Sequence, residues 1–162
     1  MNRFIAPALF VLMLSACGLQ PLYSGGSKGA VASTLGTISV APIEGKSGWL
    51  MRNALNDRLG GQESSNAQFR LIVALDDQIE GFGVRADDTV TRERRTLRAR
   101  YQLVSIATGE TVLDATAGSD AGIDVVSSEY ATIAGENSAL ENLTQKVADQ
   151  IVTRLSIYAR GE

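Results

Sequence analysis

The sequence predicts an α+β fold: a two-layer sandwich in which two helices cover one face of a four-stranded mixed sheet, in the order β-α-β-β-β-α. Three observations lead there. Several segments alternate apolar and polar residues with a period of two, as half-buried strands do. Two others repeat apolar residues at three- and four-residue spacing, as amphipathic helices do. Once an N-terminal leader is set aside, about 146 residues remain, enough for one domain around one core.

The leader is MNRFIAPALFVLMLSA, residues 1–16, with one positive side chain, Arg3, and then an uncharged run from Phe4 to Leu14. That is the layout of a secretory signal. The apolar run, about 11 residues with Pro7 inside it, is short of the roughly 20 needed to span a bilayer. Leu14, Ser15, Ala16 and Cys17 fit the bacterial lipobox of an aliphatic residue, two small residues and a cysteine. In this reading Cys17 receives the lipid and becomes the first mature residue. Two or more acyl chains anchor a protein stably to a membrane without any transmembrane helix. Cys17 is the only cysteine, so a disulfide within the chain is excluded.

After Cys17, SGGSKGAVASTL (Ser24 to Leu35) is rich in Gly and Ser and reads as a flexible tether, giving a lipidated segment 17–35 and a single domain 36–160. GTISVAPI, Gly36 to Ile43, is a short β-branched strand closed by Pro42. Ser47 is a candidate cap for a helix from Gly48 to Leu59, with Met51, Leu55 and Leu59 on one face beside Leu50 and Ala54, and Gly60 and Gly61 stopping it. QFRLIVALDDQIEGF places Phe69, Leu71, Val73 and Leu75 on one side of a strand. The turn-rich GVRADD, a second strand from Thr89 to Ile106, the ATGE turn and a third strand from Glu110 to Gly118 complete an antiparallel meander. Leu140, Leu143, Val147, Ile151, Leu155 and Tyr158 define the last helix. A capping box at Ser138 and Glu141 marks one start, and Ser128 a second, with Gly135 between them; whether one helix or two results is open.

Composition narrows function. The chain has no histidine, the commonest general base and metal ligand, so neither zinc, haem nor Ser-His-Asp chemistry is expected, nor a metal site or cofactor. Residues 1–16 contribute one base and no acid, so the rest carries 14 basic and 18 acidic side chains, a net charge of −4. No global basic field points to nucleic acid. GFGVRA, Gly81 to Ala86, has the spacing of a dinucleotide fingerprint, but a strand rather than a helix follows it. GSDAG, Gly118 to Gly122, is no nucleophile elbow, because Ala117 holds the position of its first glycine. The pairs Asp76 with Asp77 and Asp87 with Asp88 read as solvated turns.

The candidate site is a stripe of arginines. Five of the 12 lie between Arg92 and Arg100. Alternation turns Arg92, Arg94, Arg98 and Arg100 to one face with Thr96 and Gln102, and Arg95 to the other with Leu97, Ala99, Tyr101 and Leu103. Guanidinium groups at intervals of about 7 Å suit bidentate contact with phosphate or carboxylate; the other reading is an ordinary solvated face.

CGLQPLY after the lipobox, MRNALNDRL in the first helix, RRTLRARYQLV in the central strand, SEYATIAGEN and VADQIVTRL resemble, in that order, the LPS-assembly lipoprotein family LptE in its alphaproteobacterial form. The resemblance implies a non-enzymatic lipoprotein of the outer membrane, lipid-anchored on the periplasmic side. Its implied partner is the β-barrel LptD, within whose lumen such proteins sit, assisting barrel assembly and delivery of lipopolysaccharide. It also implies that Arg92, Arg94, Arg98 and Arg100 could meet the phosphates of lipid A. Gly18 behind the lipidated cysteine fits sorting to the outer membrane. The alternative is a periplasm-facing scaffold lipoprotein with no barrel partner.

Overall fold

The computed structural model describes residues 30–60, 66–84 and 90–161. The elements are α1 (Ala30–Leu35), β1 (Ile38–Val40), α2 (Gly45–Leu59), β2 (Phe69–Val84), β3 (Val90–Ser105), β4 (Thr111–Asp124) and α3 (Glu129–Ala159). The strands form one four-stranded sheet in the order β1-β2-β3-β4, with β1 parallel to β2 and the other pairs antiparallel. The predicted sandwich of mixed sheet and two covering helices is thus the observed one.

Alternation sorts the sheet as the sequence implies. Leu71, Val73, Leu97, Ala99, Tyr101, Leu103 and Ile123 point inward and are buried. Against them α2 lays Met51, Ala54, Leu55 and Leu59, and α3 lays Leu140, Leu143, Val147, Ile151 and Leu155. Two hydroxyls lie within this core without breaking it, because Thr144 donates to the Leu140 carbonyl at 2.8 Å and Ser156 to the Val152 carbonyl at 2.7 Å. The helices are joined at their surface by Lys46 to Asn137 at 2.6 Å and by Arg58, which reaches Asp149 at 2.6 Å and the Gln145 amide oxygen at 2.8 Å. Phe69 and Tyr158 close one end edge to face, with centroids 6.3 Å apart.

Five local expectations are corrected. The segment read as tether does not reach Leu35 as expected: AVASTL forms α1, with Leu35 buried and Val31 packed beside it against the core despite the Gly- and Ser-rich run before them. The helix α2 begins at Gly45, with Glu44 rather than Ser47 at its N-cap and no side-chain cap bond. The capping box at Ser138 is unused, since α3 is one helix of 31 residues capped by Ser128, whose hydroxyl accepts from the Ala131 N–H at 3.4 Å. Ser138 instead donates to the Ala134 carbonyl at 2.9 Å. Gly135 does not interrupt α3 because its bare Cα lets the helix approach Ile123, whose methyl would stand 3.3 Å from an added Cβ. The third strand of the meander also runs on to Asp124, past the expected stop at Gly118.

The fifth correction concerns Asp77. It lies in β2, not a turn, and forms a fork with Arg95 on the inner face, with Nε to Oδ1 at 2.8 Å and Nη2 to Oδ2 at 2.7 Å. Arg95 also donates to the Glu136 carbonyl of α3 at 2.9 Å, so one guanidinium ties two strands to a helix. Asp87 and Asp88 lie outside the described residues. Among the described residues no helix is long and apolar enough to cross a membrane.

Candidate functional site

The helices α2 and α3 pack on one side of the sheet, and among the described residues no element covers the other face. Arg92, Arg94, Thr96, Arg98, Arg100 and Gln102 run along its centre on β3, the face that alternation assigned them. The two neighbouring strands add what the stripe alone did not reveal. Glu80 and Asp76 of β2 stand opposite Arg94 and Arg98, while Asp124 of β4 stands opposite Arg92. Asp114 and Asp120 lie on β4 on the same face. The basic centre therefore has acidic rims.

Each arginine has its own situation. Arg100 holds Asp114 through Nε at 3.2 Å and Nη2 at 2.8 Å, and the Gln102 amide adds a third bond to that carboxylate at 2.8 Å. Arg92 bonds Asp124 at 3.0 Å, and Arg92 and Arg94 both lie over the Phe82 ring, 5.8 and 5.3 Å from its centroid. Arg94 and Arg98 differ from these two: among the described residues neither has a carboxylate within ion-pair distance, and Arg98 has no aromatic ring beneath it either. Its opposite number Asp76 accepts instead from the Gln78 amide at 3.0 Å. On its other side Gly118 has no side chain, and an added Cβ would stand 3.3 Å from the Arg98 Cγ. Arg98 and Arg100 thus line a shallow depression of about 560 Å³ floored by Ala74, Thr116 and Gly118. The arrangement can present an open guanidinium fork to a phosphate or carboxylate. Among the described residues no group of three metal-ligating side chains comes together.

The Arg100 hydrogen bonds, then the Gln102 amide, hold Asp114 down at about 2, below the ordinary 3.8. A depressed carboxyl contributes stability above its unfolded value and loses it as pH falls toward the folded one. A carboxyl titration of the folded protein by NMR should give Asp114 a midpoint near 2, and Arg100→Gln should return it most of the way toward 3.8.

The place of the acids beside the arginines depends on a register that alternation alone does not give. Straight counting back from the ATGE turn would set Gln102 against Leu113; a bulge between Leu103 and Val104 shifts the register so that Leu103 meets Leu113 and Asp114 stands beside Gln102. Gly81 to Val84 of the fingerprint-like stretch are strand, paired with β3, and GSDAG lies within β4. Cys17 lies outside the described residues.

Fold and site together define a class: a small α+β sandwich with helices on one sheet face and a charge-patterned second face. Comparison with known proteins places it further. A Caulobacter crescentus CB15 protein superposes with a TM-score of 0.70 at 26% identity, over 83% of this chain and 100% of that one. Rare lipoprotein B from Shewanella oneidensis gives 0.59 at 12% identity, over 76% and 95%. A minor lipoprotein from Acinetobacter baumannii gives 0.59 at 14%, over 75% and 89%; these last two show a shared fold. No curated protein matches. The LptE, lipopolysaccharide-assembly, family profile matches residues 35–155, and the chain belongs to that family.

Proposed function

We propose that this protein is an outer-membrane lipoprotein, anchored through Cys17 on the periplasmic side, that assists assembly of the lipopolysaccharide-translocating barrel LptD and delivery of lipopolysaccharide to the outer leaflet. Its work is binding and assembly, not catalysis. The observation that carries the reading is the family match, which spans residues 35–155 and so nearly the whole sandwich.

The open sheet face supports a direct contact with lipopolysaccharide. Arg98 is the arginine best placed for a lipid A phosphate, since Arg92 and Arg100 already hold Asp124 and Asp114. Arg94, against Phe82, and Arg100, at the rim of the depression, flank it.

The test is a mild-detergent pull-down of the tagged, lipidated protein from envelopes. A large β-barrel recovered in roughly one-to-one amount is the expected result. Recovery of the protein alone, or with peptidoglycan-linked proteins, would replace this reading by that of a scaffold lipoprotein.

A further inference from the structure

GSDAG, no nucleophile elbow, has a different place in the sheet. Its Gly118, Asp120 and Gly122 share the open face of β4, where Gly118 stands opposite Arg98, Asp120 opposite Thr96 and Gly122 opposite Arg94. Arg94 and Arg98 are the two arginines of the stripe without an ion pair among the described residues, while Arg92 and Arg100 hold Asp124 and Asp114 beyond either end of the motif. Each free guanidinium therefore has a bare strand beside it. The floor there is fixed, because the Gln150 side chain of α3 accepts from the Gly118 N–H at 3.2 Å and donates to its carbonyl at 3.3 Å.

The two free arginines are four residues apart on one strand, about 14 Å. A guanidinium fork takes one phosphate or carboxylate by two parallel bonds, so a small anion occupies one of them and leaves the other empty. On the β2 side an anion would meet Glu80 opposite Arg94 or Asp76 opposite Arg98. Over Gly122 or Gly118 it lies two strand spacings from those acids, about 10 Å, where salt screens most of the repulsion. Anions must therefore sit on the β4 side. Between those two places the row across the sheet is Gln78, Thr96 and Asp120, with no apolar side chain in it. Asp120, exposed and in no ion pair among the described residues, repels an anion set midway and accepts hydrogen bonds from hydroxyls. Thr96 and Asp120 line the same depression as Arg98.

We propose that this face binds a glycan bearing two anionic groups, one at Arg94 beside Gly122 and one at Arg98 beside Gly118, with sugar hydroxyls between them donating to Asp120. The site responds to the spacing of two charges and discriminates against a headgroup that carries one. A peptide fits it less well, since the middle row offers carboxylate, amide and hydroxyl in place of an apolar seat for side chains. Resting on the proposed contact with lipopolysaccharide, this site gives Arg94 a share equal to that of Arg98, and to each a single anion.

The test is titration calorimetry of the full-length mature protein in nonionic detergent. The probes are a glucosamine disaccharide with a phosphate on each ring, the same disaccharide with a phosphate on one ring, inorganic phosphate, and a short peptide with two glutamates at matching separation. The disaccharide with two phosphates should bind at least about tenfold tighter than any of the other three, the share of one charge-assisted fork. Arg94→Gln and Arg98→Gln should each lower its affinity by about tenfold or more, to the level of the single phosphate, and leave the one-phosphate disaccharide within about threefold. Gly122→Val is the second kind of variant: nothing lies within 4 Å of an added Cβ and a β-branched residue suits a strand, so it should melt with the wild type while filling the cleft beside Arg94 and losing the preference. Equal affinity for one and two phosphates, a two-phosphate affinity that survives Arg94→Gln or Gly122→Val, or a peptide as tight as the disaccharide would each overturn the proposal. The pull-down reports separately on the proposed function: a barrel recovered alongside equal affinities overturns this site alone, and a two-phosphate preference without a barrel upholds the site and removes the assembly role.

Discussion

Gly48→Ala is expected to destabilise the fold by about 3 kcal/mol and to lower the melting temperature by roughly 10 °C. In an exposed helix the same change would stabilise by roughly 0.5–1 kcal/mol, because glycine has more conformational freedom to lose. Here the first turn of α2 lies on the chain that leads into it. The new methyl would stand 2.6 Å from the Ile43 carbonyl oxygen, 2.7 Å from the carbonyl carbon and 2.9 Å from a methyl of the Ile43 side chain. Two of those neighbours are backbone, so no side-chain rotation relieves them, and the loop between β1 and α2 must move. Gly122→Ala is the control, since nothing lies within 4 Å of its added Cβ and its φ is ordinary. Thermal unfolding of the two variants should separate them clearly, and a Gly48→Ala protein as stable as the wild type would mean that the β1 to α2 junction is loosely packed.

Arg95→Met is expected to cost about 3 kcal/mol, at the low end of what removing one partner of a buried ion pair costs. The Arg95 and Asp77 side chains are 12% and 19% exposed, so water compensates little when the guanidinium goes. The Asp77 carboxylate loses both its hydrogen bonds, and the Glu136 carbonyl loses its link to the sheet. Asp77→Leu together with Arg95→Met should recover a good part of the loss, because no buried charge is then left alone. Urea unfolding of the four proteins in a double-mutant cycle measures this. A double variant no better than Arg95→Met would move the cost to the lost contact with α3.

Much of this architecture could be read from the residues because its largest elements obey simple periods. Leu97 to Leu103 alternate with Arg98 to Gln102 whatever surrounds them, and Leu140 to Leu155 repeat at helical spacing. The failures came where a local signal competed with packing. Ser138 and Glu141 form a good capping box, but residues from Glu129 onward gain more by lying along β4 and Ile123 than a new N-terminus gains from two bonds. Ser47 lost to an earlier start for the same kind of reason, with Gly48 drawn tight against Ile43. The short helix α1 was hidden because AVASTL offers only Val31 and Leu35, four residues apart, as apolar anchors beside a Gly- and Ser-rich run. At the site, period two found which arginines share a face, yet their meaning depended on register. Only pairing of β2 and β4 with β3 shows that Asp124 and Asp114 occupy Arg92 and Arg100 and that Arg98 is left open.

The shortness of β1 has a mechanical consequence. A pull on the N-terminal side of the chain, such as a membrane anchor would transmit, loads α1 and then three residues of parallel pairing before it reaches anything else. Those few bonds are the fuse of the molecule. The meander from Phe69 to Asp124, held along most of its length by antiparallel bonds and by α3, lies downstream of the break. Under tension this protein should yield by shedding its first edge strand while the sheet face that carries Arg98 keeps its shape.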